Sequence, residues 1–453
     1  MNSNYIFTNS LLISFTGLFI IGFLLVFGRR LKFAIKLERI GLPIAVVCGV
    51  LGILIGPYGL FNFLSKETTD IWAGSLTPFL AMVFATLMLG RPVPALKGLI
   101  KPIVNQFLLA LALGFGQFFV GGLVVKYFLS QSMNVNPLMG CLIEVGFEGG
   151  HGAASIIGNN FTKLGFPEGL DLGLAMATMG LLSSSLLGSL FIFIGNFFNL
   201  TNKKEKSINK EENDFNLKIN IFNDLRILLV NLGLAGLSIV IGLVLINSLR
   251  YISIFFGDFS KEVIYSLPVF PLILIGSLLI RYTLEKTEKT QFISQILQRE
   301  MGILSTDLLI FAAMASLNIS TILGNLFPII LLTIFGLIWN IICISFFAYF
   351  VFDEYWFEKG LVEFGNSTGV VASGLLLLRL ADPNNISKTL PIFTSKQLFA
   401  QLILSGGFFT VLSPILLSKI GLDYWTEICA ALAGIIIIIA FMINNKLSIF
   451  FKE

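Results

Sequence analysis

Charge is scarce in this chain. Asp, Glu, Lys and Arg together make up 12% of its 453 residues, about half the share of an ordinary soluble protein. A water-soluble globular domain is excluded on that ground. Histidine is all but missing, with His151 the sole example. A catalytic zinc site draws three or four clustered ligands, so metal catalysis is excluded too. An HExxH motif is absent, and no acidic residue sits in the Gly-x-Gly-Asp context of an intramembrane aspartyl protease, so the chain does not read as an enzyme. The four cysteines (Cys48, Cys141, Cys343, Cys429) lie in apolar stretches without CxxC spacing. They read as small core residues, neither disulfides nor ligands. The N-terminus lacks a basic n-region and a cleavage site, so its first apolar run reads as a retained span.

Hydrophobic residues make up 56% of the chain, and the mean hydropathy is +0.89. Apolar runs of about 20 residues recur along the whole length, as helical spans require. Barrel strands would be half as long and alternating. The chain is therefore an all-α integral membrane protein with the lipid bilayer as its main partner. The 45 Phe read as lipid-facing surface, and neither an organic cofactor nor a nucleic acid is implied.

The first half (1–199) has runs near 9–28, 40–57, 71–90, 102–129 and 170–198, with a polar, glycine-broken segment at 137–160. A charged stretch over 200–221 reads as a cytoplasmic linker. The second half (222–421) repeats the pattern, with runs near 222–247, 262–281, 303–318, 325–351 and 394–418 and a broken segment at 359–381. Residues 422–453 add one extra C-terminal span and a tail.

Lys and Arg concentrate in cytoplasmic loops. Arg29, Arg30, Lys32, Lys36 and Arg39 place the loop after the first span inside, and so the N-terminus outside and the C-terminus in the cytoplasm. Arg91, Lys97 and Lys101, and then Arg281, Lys286, Lys289 and Arg299, fall on the cytoplasmic side by the same count. Five crossings per half make two inverted five-helix repeats. Each carries one re-entrant, glycine-containing segment, entering from opposite faces. The membrane would be a bacterial inner membrane.

Broken backbone at membrane depth is tolerated only within protein or beside a cavity, and two such breaks in corresponding places point to a transporter binding site. In the first, Gly149, Gly150, His151 and Gly152 form a flexible turn. A helix starting there offers its positive end to an anion. Its alternative is a small-residue packing seam. His151 donates to an anionic substrate or titrates during transport, or else it only donates to backbone. Glu144 and Glu148, four apart, share a helical face. They either coordinate a cation or carry a coupling proton, or the arm lies shallow and one of them meets water or pairs with a lysine. Asp171 reads as a helix N-cap. Asp307, beside Ser305 and Thr306, suits a small hard cation, or else caps its helix. In the second break, Asn366, Ser367 and Thr368 supply neutral oxygens for Na⁺. Arg379 suits a carboxylate, unless it snorkels to the surface or pairs with Asp382. Thr178 and Ser183–Ser185 form a small-residue stretch of the kind that serves close helix packing.

Two passages resemble the sodium/glutamate symporter family. One is Gly149-Gly-His-Gly-Ala-Ala154 with Ala175-Met-Ala-Thr178-Met-Gly180. The other runs from Thr368-Gly-Val-Val-Ala-Ser-Gly374 through four leucines and Arg379 to Asp382-Pro383. The resemblance implies two inverted domains with opposed re-entrant loops, Na⁺-coupled uptake of glutamate, and a homodimer that moves its substrate by an elevator-like displacement. Two features depart from the family: the second loop reads Gly365-Asn-Ser-Thr-Gly369, and there is the extra C-terminal span. The expected substrate-binding set is Gly149, Gly150, His151, Gly152, Ser155, Thr178 and Arg379. The expected Na⁺ set is Asp307, Asn366, Ser367 and Thr368, with Glu144 and Glu148 as further candidates. An ion exchanger working through intramembrane carboxylates is the rival reading.

Overall fold

The computed structural model describes most of residues 17–30, residues 44–90 except 58, 60 and 62, and residues 99–201 except 134. It also describes residues 221–444 except 258–260, 262, 263, 266 and 384. Half of the first expected span, Arg29, Lys32, Lys36, Arg39, Arg91, Lys97 and nearly all of the linker lie outside these residues.

The described chain is helical throughout. In order it runs α1 (Ile44–Ile55), α2 (Lys66–Gly74), α3 (Leu76–Leu89), α4 (Ile100–Val124), α5 (Leu142–Gly146), α6 (Gly150–Lys163) and α7 (Gly169–Phe197). Then follow α8 (Ile221–Ser253), α9 (Phe270–Lys286), α10 (Gln295–Ala315), α11 (Leu326–Ile342), α12 (Trp356–Ala381), α13 (Thr389–Ile403), α14 (Phe408–Ile420) and α15 (Leu422–Ile443). Among the described residues, eight helical stretches are long and apolar enough to cross a membrane.

Both broken segments fold back on themselves. Within α12 the backbone leaves the helical region at Gly369 and Val370. A Cβ built on Gly365 would sit 2.5 Å from the Cα of Gly374, yet residues nine apart along a straight helix are about 13.5 Å apart. Phe357 and Leu361 share an apolar cluster with Leu377 and Ala381. The two arms therefore lie antiparallel, and the glycines allow their backbones to touch. The first segment does the same. Asn136 Nδ2 donates to the Gly165 carbonyl at 3.2 Å, tying its two roots together. Gly173 of α7 faces Ala154 of one arm at 3.2 Å and Val145 of the other at 3.9 Å.

The helices entering these hairpins are alike. The one after α4 ends in a π-helical stretch, Val125–Leu129, and the one after α11 in another, Cys343–Ala348. Such stretches occur mostly as local insertions at functional places, and here both halves carry one in the same position.

The elements fall into two groups. α3 packs on α9 and α10, α10 on α1, and α8 on α9. Elsewhere α4 packs on α11, α13 and α15, while α7 packs on both hairpins. The extra C-terminal span, α15, lies along α4, where Asn105 and Asn444 exchange amide hydrogen bonds of 3.0 and 3.1 Å.

Two expectations change. The span expected at 394–418 is broken at 404–407, between α13 and α14, with Ser405 and Gly406 both at positive φ. Arg281, at the end of the span expected at 262–281, lies in α9, 3% exposed, with its Nε 2.6 Å from Glu285. Asp171 does not cap its own helix: Glu168 occupies that place, and Asp171 Oδ1 accepts from the Asn318 backbone N–H at 3.2 Å.

Candidate functional site

The two hairpin tips touch. Gly150 has φ +66 and Val370 has φ +67, and a Cβ on Gly150 would overlap the Val370 side chain. α7 holds both tips from behind. Gly180 packs between Phe147 and the Thr368 carbonyl, and Leu181 and Ser184 pack on Gly369. Only glycine at 180 lets the helix come this close.

Beside the tips lies a cavity of about 260 Å³. One wall comes from α3 and α10, the other from the two tips and the break at 405–406. Glu148, Gly149, His151 and Gly152 line it, as do Val370 and Val371 at the start of the second arm of α12. Two helix starts, those of α6 and of this arm, therefore converge on one space. No side chain caps α6, and the first N–H groups of a helix have no partner within it.

The substrate candidates separate. His151 is 2% exposed, and its Nε2 lies 3.1 Å from Thr178 Oγ1. Thr178 also donates to the Leu174 carbonyl at 3.0 Å, and Ser155 to the His151 carbonyl at 2.6 Å. Thr178 and Ser155 thus reach the site through His151 and do not line the cavity themselves. Arg379 is exposed near the end of α12 and does not line it either. Its suggested partner Asp382 instead accepts from the Ile386 and Ser387 backbone N–H groups, each at 2.9 Å.

The cation candidates separate as well. Asp307 lines the cavity from α10, whereas Asn366, Ser367 and Thr368 lie behind the second tip and do not. All three of the latter are at most 1% exposed. Gln117 and Asn340 clamp them: Gln117 Nε2 donates to the Ser367 carbonyl at 2.7 Å, and Asn340 Nδ2 to Thr368 Oγ1 at 2.9 Å. Asn366 Oδ1, Ser367 Oγ and Gln117 Oε1 are buried without a hydrogen-bond partner. Leaving such atoms unsatisfied costs about 1–3 kcal/mol each; a cation would satisfy these oxygens, though not Asn366 Nδ2, which is orphaned beside them.

Glu144 and Glu148 are 0% and 2% exposed, so the protein shields both from solvent. Both face the break between α13 and α14. Ser405 donates its backbone N–H to Glu144 at 3.2 Å and its hydroxyl to Glu148 at 3.0 Å. Nearby, Lys396 of α13 is completely buried against Glu363, with Nζ 2.7 Å from Oε1. This pair was not among the expected site residues, although a lone lysine in an apolar run is a functional signal by default. Ser405-Gly-Gly407 is likewise the one local signal of the third break, which the length of the surrounding apolar run masks.

Broken helices whose tips meet beside a cavity, in a chain with this many apolar spans, define the class: a membrane transporter. The sodium/glutamate symporter family model matches residues 8–356, and the chain belongs to that family. The match ends where the second hairpin begins. Membership supports a Na⁺-coupled transporter. No curated protein matches the sequence. Among solved structures, the sodium proton antiporter MjNhaP1 from Methanocaldococcus jannaschii is similar at 16% identity, covering 93% of this chain and 100% of that one, with a TM-score of 0.39.

Proposed function

We propose that the protein is a Na⁺-coupled symporter that carries glutamate, or a related small organic anion, into the cell. The observation that supports this most is the contact of two hairpin tips beside one cavity, with orphaned oxygens behind one tip and an uncapped helix start at the other. The cavity lies just under the range of about 300–1,000 Å³ typical of small-ligand sites. One substrate carboxylate would sit on the α6 N-terminus at Gly149–Gly152, with His151 held towards it by Thr178. Arg299 is also exposed but, unlike Arg379, lines the cavity, from α10, and would take the carboxylate role expected of Arg379. Asp307 suits the substrate ammonium better than a shared Na⁺ site. Na⁺ would bind Asn366, Ser367 and Thr368, and the tip contact would carry that occupancy to the anion site.

The hairpins are read as re-entrant from opposite faces of a bacterial inner membrane. The N-terminus is outside and the C-terminus inside, in a homodimer whose hairpin-bearing group moves against the α3–α10 group. Cysteine at exposed Gln131 (Gln131→Cys) should react with a membrane-impermeant maleimide from outside, and at exposed Glu288 (Glu288→Cys) from inside; labelling from the same side would refute the inversion. The native cysteines are all buried, so background is low.

Reconstituted protein should accumulate labelled glutamate when Na⁺ is imposed outside, and no uptake of glutamate, aspartate or another small dicarboxylate would sink the reading. Asn366→Ala should raise the half-saturating Na⁺ concentration by about tenfold, the equivalent of ~1.4 kcal/mol, with maximal uptake retained. An unchanged Na⁺ dependence would remove Asn366 from the site. Full burial of Glu144 and Glu148 also favours the rival reading, an ion exchanger. An exchanger would show no glutamate binding.

A further inference from the structure

We propose that Glu144 and Glu148, with the hydroxyls of Ser405 and Thr410, form a second Na⁺ site at the break between α13 and α14, separate from Asn366 and Ser367. The proposal rests on the Na⁺-coupled reading and adds a coupling ion to it.

The argument starts from a count of charges and donors. Three fully or almost fully buried carboxylates, Glu144, Glu148 and Glu363, share this region with one buried ammonium, Lys396. An ammonium has three N–H donors. Those of Lys396 reach Glu363 Oε1 at 2.7 Å, Glu363 Oε2 at 2.9 Å and Gln397 Oε1 at 2.9 Å. Lys396 is thus committed to Glu363, and it has no donor left for the other two carboxylates. Glu148 lies within electrostatic reach of Lys396 and Glu363, and Glu144 within reach of Glu148.

The hydrogen bonds around the pair are lopsided. Glu144 Oε1 accepts from the Ser405 N–H at 3.2 Å and from Thr410 Oγ1 at 2.6 Å. Glu148 Oε1 accepts from Ser405 Oγ at 3.0 Å. Each Oε2 is buried with no hydrogen-bond partner. A buried carboxylate with one oxygen stripped of water and no cation in contact with it is among the least favourable arrangements a protein interior can hold. A cation that takes both free oxygens relieves it. Every donor atom here is a hard oxygen, which selects an alkali or alkaline-earth ion over a softer metal, and the coupling ion of this family is Na⁺. The two carboxylates stand on the first hairpin, while Ser405 and Thr410 flank the third break. Occupancy would therefore lock the hairpin to that break.

The test uses the purified full-length protein without organic substrate, which removes any role of Glu148 towards a substrate ammonium. Radiolabelled Na⁺ bound at saturation is counted, and thermal midpoints are compared in Na⁺ and in choline. The E144Q/E148Q double variant should bind one Na⁺ fewer per protomer than the wild type. In choline its midpoint should equal or exceed that of the wild type, because the amides remove uncompensated charge. A merely structural role would lower it in both salts. Thr410→Val, which keeps both carboxylates, should raise half-saturating Na⁺ several-fold without changing the count. A double variant with the full wild-type Na⁺ count overturns this site alone. A wild type that binds no Na⁺ overturns the Na⁺-coupled reading along with it.

Discussion

Lys396→Met is expected to destabilise the protein by on the order of 3–5 kcal/mol, the largest loss we anticipate from any single substitution. Glu363 and Lys396 are both 0% exposed. Without the ammonium, the Glu363 carboxylate keeps only the Gln106 amide, which donates to it at 2.9 Å. One neutral hydrogen bond does not offset a buried charge. Replacing both partners is a different matter, because neutral groups of similar volume often match or exceed a buried ion pair. The K396M/E363Q double variant should thus recover most of the lost stability, read as thermal midpoint in detergent. If it is as unstable as K396M, the pair is not the source of the loss. The pair joins the first arm of α12 to α13, and Gln106 extends it to α4. Transport by the double variant should still fall, since the linkage that positions the second hairpin is gone.

The second large effect is expected at Gly150, where a valine should reduce Na⁺-driven uptake by roughly tenfold or more. The left-handed φ of +66 costs an L-residue about 1–2 kcal/mol, and ~1.4 kcal/mol already corresponds to tenfold. The new side chain also collides with Val370, forcing apart the two tips that close the site. Gly165 is the control. Its φ is +82, but a Cβ there meets nothing within 4 Å. Gly165→Val carries comparable strain without the collision and should leave uptake per molecule near the wild-type level. Equal effects of the two substitutions would show that backbone strain, not tip contact, is responsible.

Much of the site was legible as an inconsistency in the sequence. Glycines, a histidine and carboxylates in the midst of apolar runs marked the first tip, and Gly365-Asn-Ser-Thr-Gly369 marked the second. Periodicity and run length placed α4, α7, α11 and α15 to within a few residues. Asp307 and Arg379 were harder. Both are charged residues near span ends, and a linear pattern cannot say which faces a cavity. Packing turned Asp307 inward and left Arg379 outside. Arg299 looked like one more cytoplasmic cation, yet it lies on the helix that walls the cavity. The break at 404–407 was hidden in an apolar run long enough to be a full span, because run length is blind to two successive residues at positive φ.

By itself, the sequence determined the medium and the kind of secondary structure. With so few charges and such long apolar runs, only bilayer-spanning helices satisfy the backbone, and the glycine-broken stretches had to be sheltered within protein. Tertiary structure decided which polar residues meet. Glu144 and Glu148 are separated by more than 250 residues from Ser405, and Lys396 by 33 from Glu363. No local pattern specifies such pairings. They follow from the desolvation penalty, which lets a charge stay buried only where the fold brings it a partner.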